Sequence, residues 1–169
     1  SIIATANLSG IVLALILTSE TSLQATGWQS ILIVAGAILV GFLIAALIGA
    51  INGFFIAYLD LPPILATLGM MVMLNGISIV ITQGYVISGF PDAMLEIGSA
   101  DILGIPVPFL LLLICAGIVS LVLNWTPTGT RIYMIGSNPI ACFYSGVNNK
   151  NVLLRTYMLS GILSGVAAV

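Results

Sequence analysis

Residues 31–51, ILIVAGAILVGFLIAALIGAI, run without a charged residue or a proline. A helix of that length reaches across the roughly 30 Å hydrocarbon core of a bilayer. Its apolar residues are continuous, whereas a barrel strand alternates lipid-facing and lumen-facing positions, so the run reads as a spanning helix. Outward from it, the stretches from Glu20 to Asp60, Asp60 to Asp92 and Asp101 to Arg131 carry no charge between their ends. Each holds a span of about 20 residues. With 60% hydrophobic and 5% charged residues among 169, the chain cannot cover a water-soluble globule with polar surface. The expected fold is all-α, a polytopic transmembrane helix bundle.

Five spans are expected, at about 2–18, 31–51, 62–81, 108–124 and 152–169, within one transmembrane domain covering 1–169. The first begins abruptly, with no Met, basic flank or signal-cleavage pattern, and the fifth stops while still apolar. The chain therefore reads as an interior piece of a longer protein. Trp28 and Trp125 suit interface positions. Pro62 and Pro63 fit the first turn of the third span, where a missing N–H costs least, and Asp60 is placed to favour that helix N-terminus. The short Asn52–Leu61 link precedes it. Between Thr82 and Val107 a long connection carries Asp92, Glu96 and Asp101, three of the five acids, and no base.

Residues 126–150, TPTGTRIYMIGSNPIACFYSGVNNK, form a polar island between apolar runs and hold two of the three bases, Arg131 and Lys150. Cytoplasmic loops retain Lys and Arg, so the island and the Asn52–Leu61 link are placed inside, and the acidic connection and the turn at Glu20 outside. Arg155, barely inside the fifth span, snorkels to the same interface. The chain has no His, so neither a Ser-His-Asp nor a Cys-His set exists, and Cys115 and Cys142 read as free thiols rather than a metal cluster. No catalytic or metal-ligating residue is assigned. Phosphate-binding glycine loops ending in Lys and Ser or Thr are absent, as is any basic nucleic-acid footprint. No ionisable group sits near the middle of a span, which argues against a proton- or sodium-coupled pump. Energy for any transport would come from a partner.

Gly49 and Gly53, and Gly161 and Gly165, are each four apart, placing small residues on one helix face for close packing. Asn52, Thr67, Asn75 and Ser78 are polar at membrane depth, and the last three share a helical face; they line a polar path or bond between helices. In the island Gly129 and Gly136 punctuate the chain. Asn138 and Pro139 read as an N-cap and first position, with a short helix over Pro139–Ser145 closed by Gly146 in the left-handed conformation. Ile140, Phe143, Tyr144 and Val147 give it an apolar stripe, suited to passing force between rigid bodies or to resting on the membrane surface.

The run Gly129-x-x-x-Tyr133-x-Ile135-Gly136-x-Asn138, followed by Ala141 and Ser145-Gly146-Val147, resembles the cytoplasmic coupling loop of ribose-type ABC sugar-transporter permeases. Asn52-Gly53, Leu61-Pro62-Pro63, Thr67-Leu68-Gly69, the run from Ile102 to Pro108 and Leu159-Ser160-Gly161 resemble the same family in order and spacing. That resemblance implies a permease of the bacterial inner membrane, paired with a second copy or a paralogue, two ABC ATPase subunits and a periplasmic or lipid-anchored solute-binding protein. It places ATP and Mg on the ATPase and no cofactor on this chain. It implies that Gly136, Asn138, Pro139, Ala141, Ser145 and Gly146 dock on the ATPase. Cys142 and Phe143 depart from the Ala-Arg common there, Asp60 stands where a base is common, and Arg131 lies one step late. A sugar is the expected cargo; branched-chain amino-acid or nucleoside ABC permeases share the architecture, and a passive channel or structural membrane protein is the remaining class. The charge-based orientation places a topology reporter fused after Glu96 outside the cell; a cytoplasmic signal from that fusion overturns it.

Overall fold

The computed structural model describes residues 1–18, 28–85, 87, 101–102 and 105–168. The turn at Glu20, the Trp28 side chain and most of the acidic connection, with Asp92 and Glu96, lie outside them. Among the described residues the chain forms helices α1 (Ile2–Leu17), α2 (Trp28–Tyr58), α3 (Pro63–Thr82), α4 (Val107–Trp125), α5 (Pro127–Ser137), α6 (Pro139–Tyr144) and α7 (Asn149–Val166). Two short strands, β1 (Asp101–Ile102) and β2 (Ile105–Pro106), pair antiparallel before α4, with Asp101 opposite Pro106 and Ile102 opposite Ile105. The architecture is a polytopic helical bundle.

One boundary departs from the sequence reading by several residues. Helix α2 does not stop at residue 51 but continues through Asn52 and Gly53 to Tyr58, so most of the expected Asn52–Leu61 link is helical. The reason lies in packing: Asn52 and Gly53 are both buried, and Gly53 lies against the α7 backbone at Leu154. Burial against a neighbour offsets the roughly 1 kcal/mol that a glycine costs in a helix interior. The chain then reverses in four residues, with Asp60 in the left-handed region at φ 51°. At the start of α3, Pro62 is the N-cap and Pro63 takes the first position, as expected.

The bundle is built on the pair α2 and α7. A Cβ added to Gly49 would strike the Tyr157 carbonyl, and one added to Gly161 would strike that of Ala45. Gly165 lies against Phe42 and Ala45. The pairings run from 42 with 165 to 53 with 154, so the two helices are antiparallel and meet along all four glycines. Lipid offers no hydrophobic drive between helices, and close backbone approach supplies the dispersion that holds such a pair.

Helix α1 covers this pair. Ala4 and Leu8 pack with Ile48, Met70 and Leu74, while Leu13 and Leu17 pack with Val34 and Ala37. Hence α1, α3 and α7 run one way and α2 the other. Helix α3 faces the bundle through Ala66, Met70, Leu74 and Ser78, a stripe at four-residue spacing. In contrast α4 buries no residue and packs chiefly on α5.

Among the described residues three stretches are long and apolar enough to cross a membrane: Leu32–Tyr58 within α2, then α3 and α4. At 16 residues α1 is shorter, and α7 begins with the polar run Asn149, Lys150 and Asn151 and carries Arg155.

Gly161→Ala is expected to lower the thermal midpoint of the solubilised protein, at an overpacking cost of about 1–3 kcal/mol. Gly117→Ala, in α4 with nothing within 4 Å of an added Cβ, should leave the midpoint unchanged or raise it.

Candidate functional site

All three bases gather at the end of the bundle where α2 finishes and α7 begins. Helix α4 leads there and ends at Trp125; Thr126 is extended, and its hydroxyl accepts the Gly129 N–H at 3.3 Å to start α5, with Pro127 at the first position. The corner is tight, because an added Cβ at Gly129 would collide with the Leu123 backbone. Gly129 and Gly136 therefore do not interrupt the chain as expected; both are helical within α5. The break falls at Asn138 instead, since a residue preceding proline is disfavoured in helical geometry. Asn138 sits at φ −158°, ψ 99°.

From there the chain builds α6 with both ends closed. Asn138 Oδ1 accepts the N–H groups of Ile140 and Ala141, each at 3.0 Å. Ser145 is the C-cap, so the helix ends one residue earlier than expected, and Gly146 follows at φ 79°. The Gly146 N–H donates to Phe143 at 3.0 Å and the Val147 N–H to Cys142 at 3.2 Å, the paired bonds of a Schellman closure. Asn149 Nδ2 donates to the Pro139 carbonyl at 2.7 Å, tying α6 to the start of α7. Cys142, 2% exposed, anchors one side of α6, whereas Ile140, Phe143 and Tyr144 are 67%, 68% and 83% exposed. Close by, the Tyr58 hydroxyl donates to Asn151 Oδ1 at 3.1 Å and Lys150 Nζ lies 5.5 Å from the Tyr58 ring centroid. Helix α6 is thus joined directly to the end of the glycine seam.

The four polar residues considered for a path occupy separate environments. Asn52, 3% exposed, faces a crevice beside Thr5, Ser160 and Ser164 with room for about one water, and its Oδ1 has no hydrogen-bond partner. Ser78, 4% exposed, lines a cavity of about 760 Å³ between α1 and α3, toward the end opposite α6. Thr67 bonds back to the Pro63 carbonyl at 2.8 Å, and Asn75 is exposed away from the α3 bundle stripe.

A family described as the permease component of branched-chain amino acid transport systems matches residues 2–169. The chain belongs to that family. This permease is 35% identical over 139 residues to the autoinducer 2 import system permease protein LsrD of Escherichia coli K12, and equally to that of E. coli O157:H7 and of Shigella flexneri. Each comparison covers 79% of this chain and 42% of the relative, so the chain spans less than half the length of the relatives it matches. No solved structure matches it. Proteins of this family are transport components rather than enzymes, embedded as multi-pass chains in the inner membrane.

Sequence reasoning passed over two residues of the larger cavity in this permease, Asn7 and Tyr85. Asn7 carries the only side-chain amide in α1, and that was the available signal. Tyr85 follows the left-handed Gln83 and Gly84 at the end of α3, a turn that brings its ring back to the cavity wall. At the other end, Asn138→Ala should remove about 1 kcal/mol of capping and raise amide exchange at Ile140 and Ala141 roughly fivefold. Asn138→Asp, which retains the acceptor, should leave exchange near the wild-type rate.

Proposed function

We propose that this chain forms part of the translocation subunit of an ABC importer carrying a small, uncharged polyol such as a sugar or autoinducer-2, with α6 receiving work from a partner ATPase. The observation that carries the reading is α6 itself. It is closed at one end by the Asn138 side chain and at the other by backbone bonds, held on one side by Cys142, joined to the α2–α7 seam, and presents Ile140, Phe143 and Tyr144 outward. Exposed aromatic and aliphatic side chains on a rigid, short helix suit a docking contact. The grouping of Arg131, Lys150 and Arg155 at this end supports its placement on the cytoplasmic side, where the ATPase subunits would sit. A second permease copy or paralogue and an external solute-binding protein complete the assembly.

The cavity beside Ser78 supports the cargo class. Asn7, Ser78, Thr82 and Tyr85 supply its polar groups, and among the described residues no charged one lines it. Its volume of about 760 Å³ is within the range of small-molecule sites. Hydroxyl-rich solutes find donors and acceptors there, whereas the ammonium and carboxylate of an amino acid would meet no opposite charge among the described lining residues. The autoinducer named for the relatives favours the same class.

In cells expressing the whole transporter, Ala141→Glu or Gly146→Asp is expected to abolish solute uptake while the permease stays in the membrane. The first adds a carboxylate to the docking helix, and the second forces a side chain into the left-handed closure at a cost of about 1–2 kcal/mol. Normal uptake with normal ATPase co-purification in both variants overturns the reading.

A further inference from the structure

A separate cavity of about 350 Å³ lies between α5 and the start of α7. Arg131 and Arg155 both line it, so two of the three bases face one space, and no carboxylate is on its wall. Its amide side chains add donors rather than acceptors. Asn148 Oδ1 already accepts the Asn151 N–H at 3.2 Å, and Asn151 Oδ1 accepts from the Tyr58 hydroxyl at 3.1 Å. Each asparagine is left with its NH2 to offer. Ser145 turns its hydroxyl back to the Ala141 carbonyl at 2.9 Å. Two guanidinium groups and two amide NH2 groups give the cavity wall the charge and donors that an anion needs.

We infer that this cavity binds the phosphate of an anionic phospholipid headgroup, with the two guanidinium groups on its non-bridging oxygens. Guanidinium forks match phosphate geometry, and basic pockets between membrane helices on the cytoplasmic side take such headgroups. The depth fits. Arg155 lies about 9 Å along α7 from its first residue, and Arg131 is in the second turn of α5, just past the corner where α4 ends at Trp125. Val147 and Val152 give the wall an apolar edge for the glycerol end of a lipid, which a free phosphate would not need. Ser145 and Gly146 at the end of α6 form one edge of the cavity, whereas the outward side chains Ile140, Phe143 and Tyr144 do not line it.

The test uses the full-length permease in detergent, titrated with short-chain phosphatidylglycerol, short-chain phosphatidylcholine or inorganic phosphate while the thermal midpoint is followed. Phosphatidylglycerol should raise the midpoint saturably, and neither of the others should at the same concentration. Arg131→Gln and Arg155→Gln should each raise the half-saturating concentration about tenfold, the loss of one charge-assisted contact. Lys150→Gln, which removes a base outside this cavity, should change nothing. If a Gln variant fails to fold, the Lys variant, which keeps the charge and loses the fork, is read in its place with a smaller weakening expected. A wild-type response in both arginine variants overturns the site, as does an equal loss with Lys150→Gln. A response to inorganic phosphate matching that to phosphatidylglycerol retains the phosphate and overturns the lipid. Loss of ATPase co-purification in Arg131→Gln with an intact lipid response moves the cavity to a protein interface and overturns the proposal. Because the readout needs neither the ATPase nor transport, it stands or falls independently of the coupling role of α6.

Discussion

The antiparallel contact of α2 with α7 is the constraint from which the other placements follow. Inside a bilayer, apolar side chains gain nothing by leaving lipid for one another, so helices stay together where their backbones come nearest. Gly49, Gly53, Gly161 and Gly165 allow that by leaving no side chain in the way. Once the pair is set, α1 lies antiparallel on α2 and α3 joins it through Met70 and Leu74. Leu32, Leu39, Leu43 and Leu47 turn outward on the opposite side of α2, where lipid is the natural neighbour. The polar ends are fixed by the same register: Tyr58 reaches Asn151, and Asn149 reaches back to Pro139.

Features governed by local chemistry were legible in the chain. Pro63 opening α3, Asn138 capping α6 and Gly146 closing it each depend on a few neighbouring residues, and the structure has them in those positions. Features governed by distant partners were not. Asn52 reads as the start of a link because an amide is costly in lipid, yet it is helical and buried where α1 and α7 cover it. Gly129 reads as a break, but it is a point of contact with Leu123. Periodicity alone grouped Thr67, Asn75 and Ser78; the face that α3 buries is centred on Met70 and Leu74, which leaves Asn75 outside it and brings Ser78 to a cavity shared with Asn7.

The two ends of the bundle have different chemistry. One combines the bases, an aromatic contact and a helix closed at both termini, and the other opens a cavity whose described walls are neutral and carry polar groups. Between them lies the glycine seam, whose one buried amide, Asn52, has an oxygen without a partner. Where a polar atom in a packed seam lacks its hydrogen bond, a small slide of one helix past the other can exchange partners without breaking an established bond.

The corner between α4 and α5 has a mechanical consequence. Helix α4 buries nothing and leans chiefly on α5, while Gly129 admits no further atom against Leu123. Such a joint bends little, because any change in its angle either drives backbone into backbone or opens a void. Torque applied through α5 is therefore handed to α4 as rotation of a whole rod. Within this chain α4 is held to the bundle chiefly through that corner, so the direction in which it leaves is set by α5.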